Sequence, residues 1–363
     1  MRSTPTHFKE SYWWRESSEG ILICTLCPRE CRFERDKTVG ACGVRVRLNN
    51  KIYLAIYGKT SGWAMDPIEK KPLFHFYPGS CAFSIGTIGC NMFCLHCQNW
   101  FISQARISPH TLKYPMQLES LSPEDAVNLA KENNCTSIAY TYNEPIVWYE
   151  YMLDTAKLAK KHGLKNVIVS NGYINEEPLL ELVKFIDAGN IDLKGDSIFY
   201  QRLTGTFKAP ETILRTIEIL KEHNVHVEIT VLVIPGWNDK EEFIKWVARW
   251  IMENFGAEEV PLHITRFYPN YMLRSIPPTP IKTLEKARET AIREGLKYVY
   301  TGNVPGHKGE HTYCPQCGKP VIKREGFYIT EWNLNDKNRC RFCGYRINIR
   351  GRLKRERKWF YFY

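Results

Sequence analysis

The chain has 363 residues, 44% hydrophobic and 25% charged, enough for one large domain with attachments or for two domains. No apolar run reaches the roughly 18–20 residues of a membrane span, and the opening MRSTPTHFKESYWWRESS lacks the apolar stretch of a signal peptide, so a cytoplasmic location is expected. The net charge of +11 is uneven: from Arg346 onward seven Arg or Lys accompany one Glu, a basic aromatic tail that reads as a nucleic-acid grip or, preferred here, as a solvated edge packing back on the body.

Thirteen cysteines in a long chain without an export signal point to metal rather than to a disulfide framework. Eleven form three groups, which divide the chain into a head (1–80), a body (81–308) and a tail (309–363). Cys81 and Cys135 stand apart and read as small buried residues. The head carries Cys24, Cys27, Cys31 and Cys42 among turns and short strands such as KIYLAIYG. This group is open to three readings: structural zinc, which comes first, an auxiliary iron–sulfur cluster, or unmetallated thiols.

The body alternates strand and helix. AFSIGTIG is an apolar strand leading into CNMFCLHC, the loop of Cys90, Cys94 and Cys97. SPEDAVNLAKENN is a helix with Ser122 as N-cap and Pro123 at its first position. TSIAYTYN is a strand, and IVWYEYMLDTAKLAKKHG a helix closed by Gly163. Strands KNVIVSNG, NIDLKG, HVEITVLVIPG, VPLHITRF and YVYTGN follow, separated by single helices. Such alternation requires parallel pairing with right-handed crossovers, and about six units predict an incomplete (β/α)6-type barrel. Chemistry then belongs on the loops after the strands' C-terminal ends. There lie the three-cysteine loop, YNEP, SNG, DLKG, PGWND and RFYPN.

In the tail, CPQC and CRFC are separated by 22 residues, and Gly318 and Gly344 follow the second cysteine of each pair. Cys314, Cys317, Cys340 and Cys343 thus form two knuckles of a zinc-ribbon or rubredoxin-like module, with zinc favoured over iron.

Three thiolates at residues 90–97 hold a cubane cluster at three irons and leave the fourth open, as catalytic metal sites do. The alternatives are a zinc site recruiting His96 or Cys81, and an electron-transfer cluster completed by Cys81. CNMFCLHC resembles the Cys-x3-Cys-x2-Cys signature of the radical S-adenosylmethionine (radical SAM) superfamily, closest to its activating-enzyme branch. The resemblance implies a [4Fe–4S] cluster whose open iron binds SAM, and cleavage to a 5′-deoxyadenosyl radical that abstracts hydrogen, with a glycine in a partner protein as one target class. It also implies an external one-electron reductant. TYNEP occupies the place of a Gly-Gly-Glu-Pro motif, which assigns Asn143 and Glu144 to SAM's amino group, with Tyr142 and Asn143 replacing the glycines. By the same resemblance Ser170 and Asn171 lie near the ribose and carboxylate, Asp192 and Lys194 beside SAM, and His96 against adenine. Val233 and Pro235 would offer packing surfaces, and Tyr268 stands where a histidine is usual. No catalytic side chain beyond the cofactor-binding set is assigned. CTLCPRECRF…GACGVR, YGKTSGWAMDPIEKKPLFHFYPGS, SIGTIGCNMFCLHCQNW and GNVPGHKGEHTYCPQCGK together resemble the AmmeMemoRadiSam-system radical SAM enzymes, which implies AMMECR-type and Memo-type partners. The competing account is a metal-stabilised binding module holding nucleic acid with ribbon and tail.

Overall fold

A computed structural model describes residues 8–354 of the chain. The aromatic end of the basic tail, residues 355–363, lies outside them, so the nucleic-acid reading is met only by its described part.

The body is an eight-stranded sheet whose strands lie side by side almost in chain order. They are β1 (Gly62–Pro67), β2 (Cys81–Gly86), β3 (Ser137–Tyr140), β4 (Lys165–Ser170), β5 (Ala188–Asp192), β6 (His226–Val233), β7 (Leu262–Arg266) and β8 (Val299–Gly302). From β2 to β8 every pairing is parallel, while β1 runs antiparallel to β2. Sequential order with one-way crossovers places the helices on one side of the sheet, so it curls instead of being doubly wound. β1 and β8 are its two unpaired edges. The seven parallel strands are the seven strand segments read from the sequence, AFSIGTIG through YVYTGN. β1 was not anticipated, and it places the boundary expected at residue 80 between two paired strands of one sheet.

The helices are α1 (Pro123–Glu132), α2 (Tyr149–Lys161), α3 (Glu176–Leu182), α4 (Glu211–Glu222), α5 (Glu241–Phe255) and α6 (Ile281–Arg293). Ser122 caps α1: its side chain accepts from the Asp125 N–H at 3.0 Å, and Asp125 returns the bond. On α4, Ile213, Ile217 and Leu220 repeat at the helical period and are buried. None of the described helices is long and apolar enough to cross a membrane.

The N-terminal ends of the strands are plugged from below. Ile68, Leu73 and Phe76 pack against Ala82, Ala139, Val167 and Ala188, small residues that leave room for them. Beside this plug, Glu228 of β6 is fully buried and accepts from His226 (2.9 Å), His263 (2.6 Å) and the His75 N–H (2.7 Å). Burial alone would raise its pKa, but the two histidine hydrogen bonds outweigh it and hold the carboxyl well below the usual carboxylate range. The tail covers this same end, a hairpin of Pro320–Glu325 and Tyr328–Trp332 whose Arg324 lies 4.2 Å over the Phe74 ring. Its backbone runs on through Arg350, which bonds Asn224 at 2.5 and 2.7 Å. The head docks near the opposite end: buried Arg45 makes a two-pronged bond to Glu150 of α2 at 2.9 and 2.8 Å.

Cys81 and Cys135 are buried as expected and are also bonded to each other. Cys81 opens β2 and the three-cysteine loop follows its end, about 20 Å away for six extended residues. That separation removes Cys81 as a fourth ligand, for zinc or for a closed cluster.

Candidate active site

The loop after β2 turns back through a single helical turn, Trp100–Ser103. Cys90 Sγ accepts from the Met92 N–H (3.3 Å), and Cys97 Sγ lies 3.1 Å from Ser103 Oγ. Burial pushes the Cys94 thiol up to about 12, against the pull of Lys194. Thiols this dry ionise only when a cation takes them, so the donor set fits an iron cluster. A further sign of fit is His96. Its ring is buried and packs edge-on against Phe199 at 5.8 Å, and its Nδ1 has no hydrogen-bond partner. Burial, then Lys194, lowers its pKa to about 3, so the ring is neutral at physiological pH.

Beside this loop, Glu144 is buried and fully engaged. Oε1 accepts from Ser170 Oγ (2.7 Å) and the Ile146 N–H (3.0 Å), and Oε2 from the Asn171 N–H (2.8 Å). Burial lifts its pKa to about 7 despite these donors. Asn171 carries the connection to the cysteines: its Nδ2 lies 2.9 Å from Asn91 Oδ1 and 3.8 Å from Cys90 Sγ. Asn91 in turn donates to the Tyr173 carbonyl at 2.8 Å. The structure thus brings together Cys90, Glu144, Ser170 and Asn171, with Asn91 as a link the sequence reading passed over. Its signal was its place directly after the first cysteine.

The turn that replaces two glycines keeps a glycine-like backbone. Tyr142 has φ +73°, a left-handed conformation that costs an ordinary residue about 1–2 kcal/mol. Its hydroxyl donates to Asp66 Oδ2 at 2.6 Å, and Lys71, which bonds the same carboxylate at 2.7 Å, lies 4.7 Å over its ring. The Asn143 side chain is locked between the Thr87 N–H (3.0 Å) and the Gly89 carbonyl (2.8 Å), and its backbone N–H donates to the Thr141 carbonyl at 3.0 Å.

Lys194 Nζ pairs with Asp192 Oδ2 at 2.6 Å. Burial works against the lysine's charge, but Asp192 and the neighbouring Cys94 hold its pKa above the ordinary range. Val233 is wholly buried, a core residue without free surface. Tyr268 is half-exposed and bonds Arg266 and the Asn303 carbonyl, both at 3.2 Å.

The outer groups differ. In the tail the sulfurs of Cys314, Cys317, Cys340 and Cys343 all lie within 4.8 Å of one another, Cys314 and Cys343 at 3.5 Å and Cys317 and Cys340 at 3.8 Å. A tetrahedral zinc with bonds of about 2.3 Å sets its sulfurs about 3.8 Å apart. Gly318 and Gly344 take φ +70° and +81° in the knuckles, and the Lys319 N–H draws the Cys317 thiol down to about 7. The four head cysteines line one pocket but do not converge in this way.

Residues 84–247 match the model of the Radical SAM superfamily. With the three-cysteine loop at the C-terminal edge of a parallel sheet, this defines the class: the chain is an enzyme of the radical SAM superfamily. Within it, the chain belongs to one family with the protein MJ0808 of Methanocaldococcus jannaschii, to which it is 43% identical over 342 residues, 94% of this chain and 99% of that one. It is also homologous to the pyruvate formate-lyase 1-activating enzyme of Escherichia coli K12, 23% identical over 225 residues covering 58% of this chain and 89% of that enzyme. The choline trimethylamine-lyase activating enzyme of Oleidesulfovibrio alaskensis is 27% identical over 127 residues, 33% of this chain and 40% of that enzyme.

Proposed function

We propose that the body, residues 81–308 with β1, is an activating-enzyme-type barrel that holds a [4Fe–4S] cluster on Cys90, Cys94 and Cys97 together with SAM, and acts on a partner polypeptide. When bound, that pair supplies a 5′-deoxyadenosyl radical able to remove a hydrogen atom from an unreactive position. The observation that carries the reading is the continuous hydrogen-bond chain from Cys90 through Asn171 to Glu144 and Ser170.

Each residue then has a task. The 142–144 turn receives the SAM amino group, Asn143 through its backbone. Glu144 fixes Ser170 and Asn171, which meet the ribose and carboxylate. Asp192 and Lys194 set the charge beside SAM, and neutral His96 borders the adenine. The tail cysteines hold a structural zinc. The target class is a glycine in a partner protein, in keeping with relatives named as activating enzymes of other proteins. The resemblance to AmmeMemoRadiSam-system enzymes adds AMMECR-type and Memo-type proteins as partners to try, with an external one-electron reductant. A nucleic-acid grip has less support, because Arg350 of the tail is engaged with Asn224.

The test is 5′-deoxyadenosine formation from SAM by anaerobically reconstituted, reduced protein, with and without candidate partners. Wild-type turnover and none from the C90A/C94A/C97A variant is the expected result. Equal turnover by that variant, or a wild type that takes up no cluster at residues 90–97, overturns the reading.

A further inference from the structure

We propose that Cys24, Cys27, Cys31 and Cys42 hold a second, fully ligated [4Fe–4S] cluster rather than zinc. This goes beyond the function above and stands or falls separately from it.

The four cysteines line a single pocket, bordered also by Arg29, Arg45 and Asn91. A single metal ion draws four sulfurs close, and the tail's four are spaced to suit one. A cubane binds each thiolate to a different iron, so its ligands stand well apart. The head sulfurs are the spread kind: no three of them lie mutually within 4.8 Å, whereas the tail's four do. The sulfurs of Cys90, Cys94 and Cys97, the loop assigned to a cubane, likewise do not all lie within 4.8 Å of one another.

The pocket also suits an anionic guest. Four thiolates on a [4Fe–4S] core leave a net negative charge, and two arginines line this wall, the charge of Arg45 being already paired with Glu150. Arg45 is 2% exposed, and its Nε has no hydrogen-bond partner, an unmet buried donor on the pocket's own lining. Arg29 reaches out of the pocket to the carbonyls of Asn91 and Gly205. The Ala41 N–H already donates to Cys31 Sγ at 3.3 Å, the kind of bond that tunes cluster sulfurs.

The position gives the second cluster its role. Asn91 belongs to the three-cysteine loop and lines the head pocket. Gly89, one residue before Cys90, approaches the Cys42 carbonyl so closely that a Cβ there would sit 2.6 Å from it. With all four irons bound by protein there is no open position for a substrate. What remains is one-electron transfer: the cluster takes an electron from the external one-electron reductant and passes it to its neighbour.

The test reads the head in an otherwise complete chain. The C90A/C94A/C97A variant, reconstituted anaerobically, is expected to retain about four iron and four sulfide per chain against about eight in wild type. Its Mössbauer spectrum should be that of [4Fe–4S]. The C24A/C27A/C31A/C42A variant, checked for wild-type circular dichroism and one zinc, loses the complementary half. A C90A/C94A/C97A variant without iron, or one holding a second zinc beyond the tail's, overturns the proposal, whether or not the wild type cleaves SAM.

Discussion

Head and tail each bring four cysteines to the barrel, one near the loops at the strands' C-terminal ends and one beneath their N-terminal ends. In the tail, glycine knuckles fold the sulfurs inward until they fit a single ion, and the surrounding hairpin binds the plugged floor through Arg324, which donates to the Phe74 carbonyl at 3.1 Å. In the head, short strands and long turns spread the sulfurs around a pocket whose wall is shared with the active loop. Equal cysteine counts thus take different arrangements: the tail's four sulfurs converge within 4.8 Å of one another, and the head's do not.

The sharpest way to break this comparison is to remove a tail ligand. Cys340→Ala should empty the zinc and expose the 312–349 region to limited proteolysis, since zinc binding contributes about 10–16 kcal/mol in zinc-finger peptides. SAM cleavage per folded chain should persist; its immediate loss would make the tail part of the catalytic unit. Next comes Glu228→Gln, which removes a buried charge that ties floor to plug, at an expected cost of about 3 kcal/mol in urea unfolding at pH 7. Because Glu228's folded pKa is depressed, its contribution is full above the unfolded value of about 4.3 and declines as pH falls below it. The gap between wild type and variant should therefore narrow toward pH 3, and a constant gap would contradict the assignment. On the head side, Gly89→Ala forces a side chain onto Cys42 at φ +88°. About 1–3 kcal/mol of destabilisation is expected, with iron lost from the variant while zinc is kept. Smallest is Ser122→Ala, remote from both regions, which should lower stability by about 1 kcal/mol through the lost cap and leave both metals unchanged.

Much of the barrel was legible because its signals are local. The α1 cap, the helical stripe of α4 and polar motifs at successive strand ends can all be read within a few residues. The three-cysteine loop was legible for the same reason. The rest depends on residues far apart in the chain. β1 reads as an ordinary stretch of head until β2 pairs with it, and the Cys81–Cys135 bond joins positions 54 residues apart. Asn143 and Glu144 were assigned to SAM's amino group through backbone and side-chain acceptors, but that Thr87 and Gly89 engage the Asn143 side chain, a contact across the sheet's end, is not written in the local sequence. Whether the head sulfurs converge on one point could not be read from the sequence, because spacing along the chain does not give distance in space.

Tyr142 bears on how this family can vary. A tyrosine holds a backbone shape that elsewhere falls to glycine, secured by a carboxylate and a lysine from another part of the chain. Positions 66, 71 and 142 should therefore drift as a set over evolutionary time. A chain with glycine at 142 would be released from keeping the acid–lysine pair, while one with the tyrosine would be bound to it.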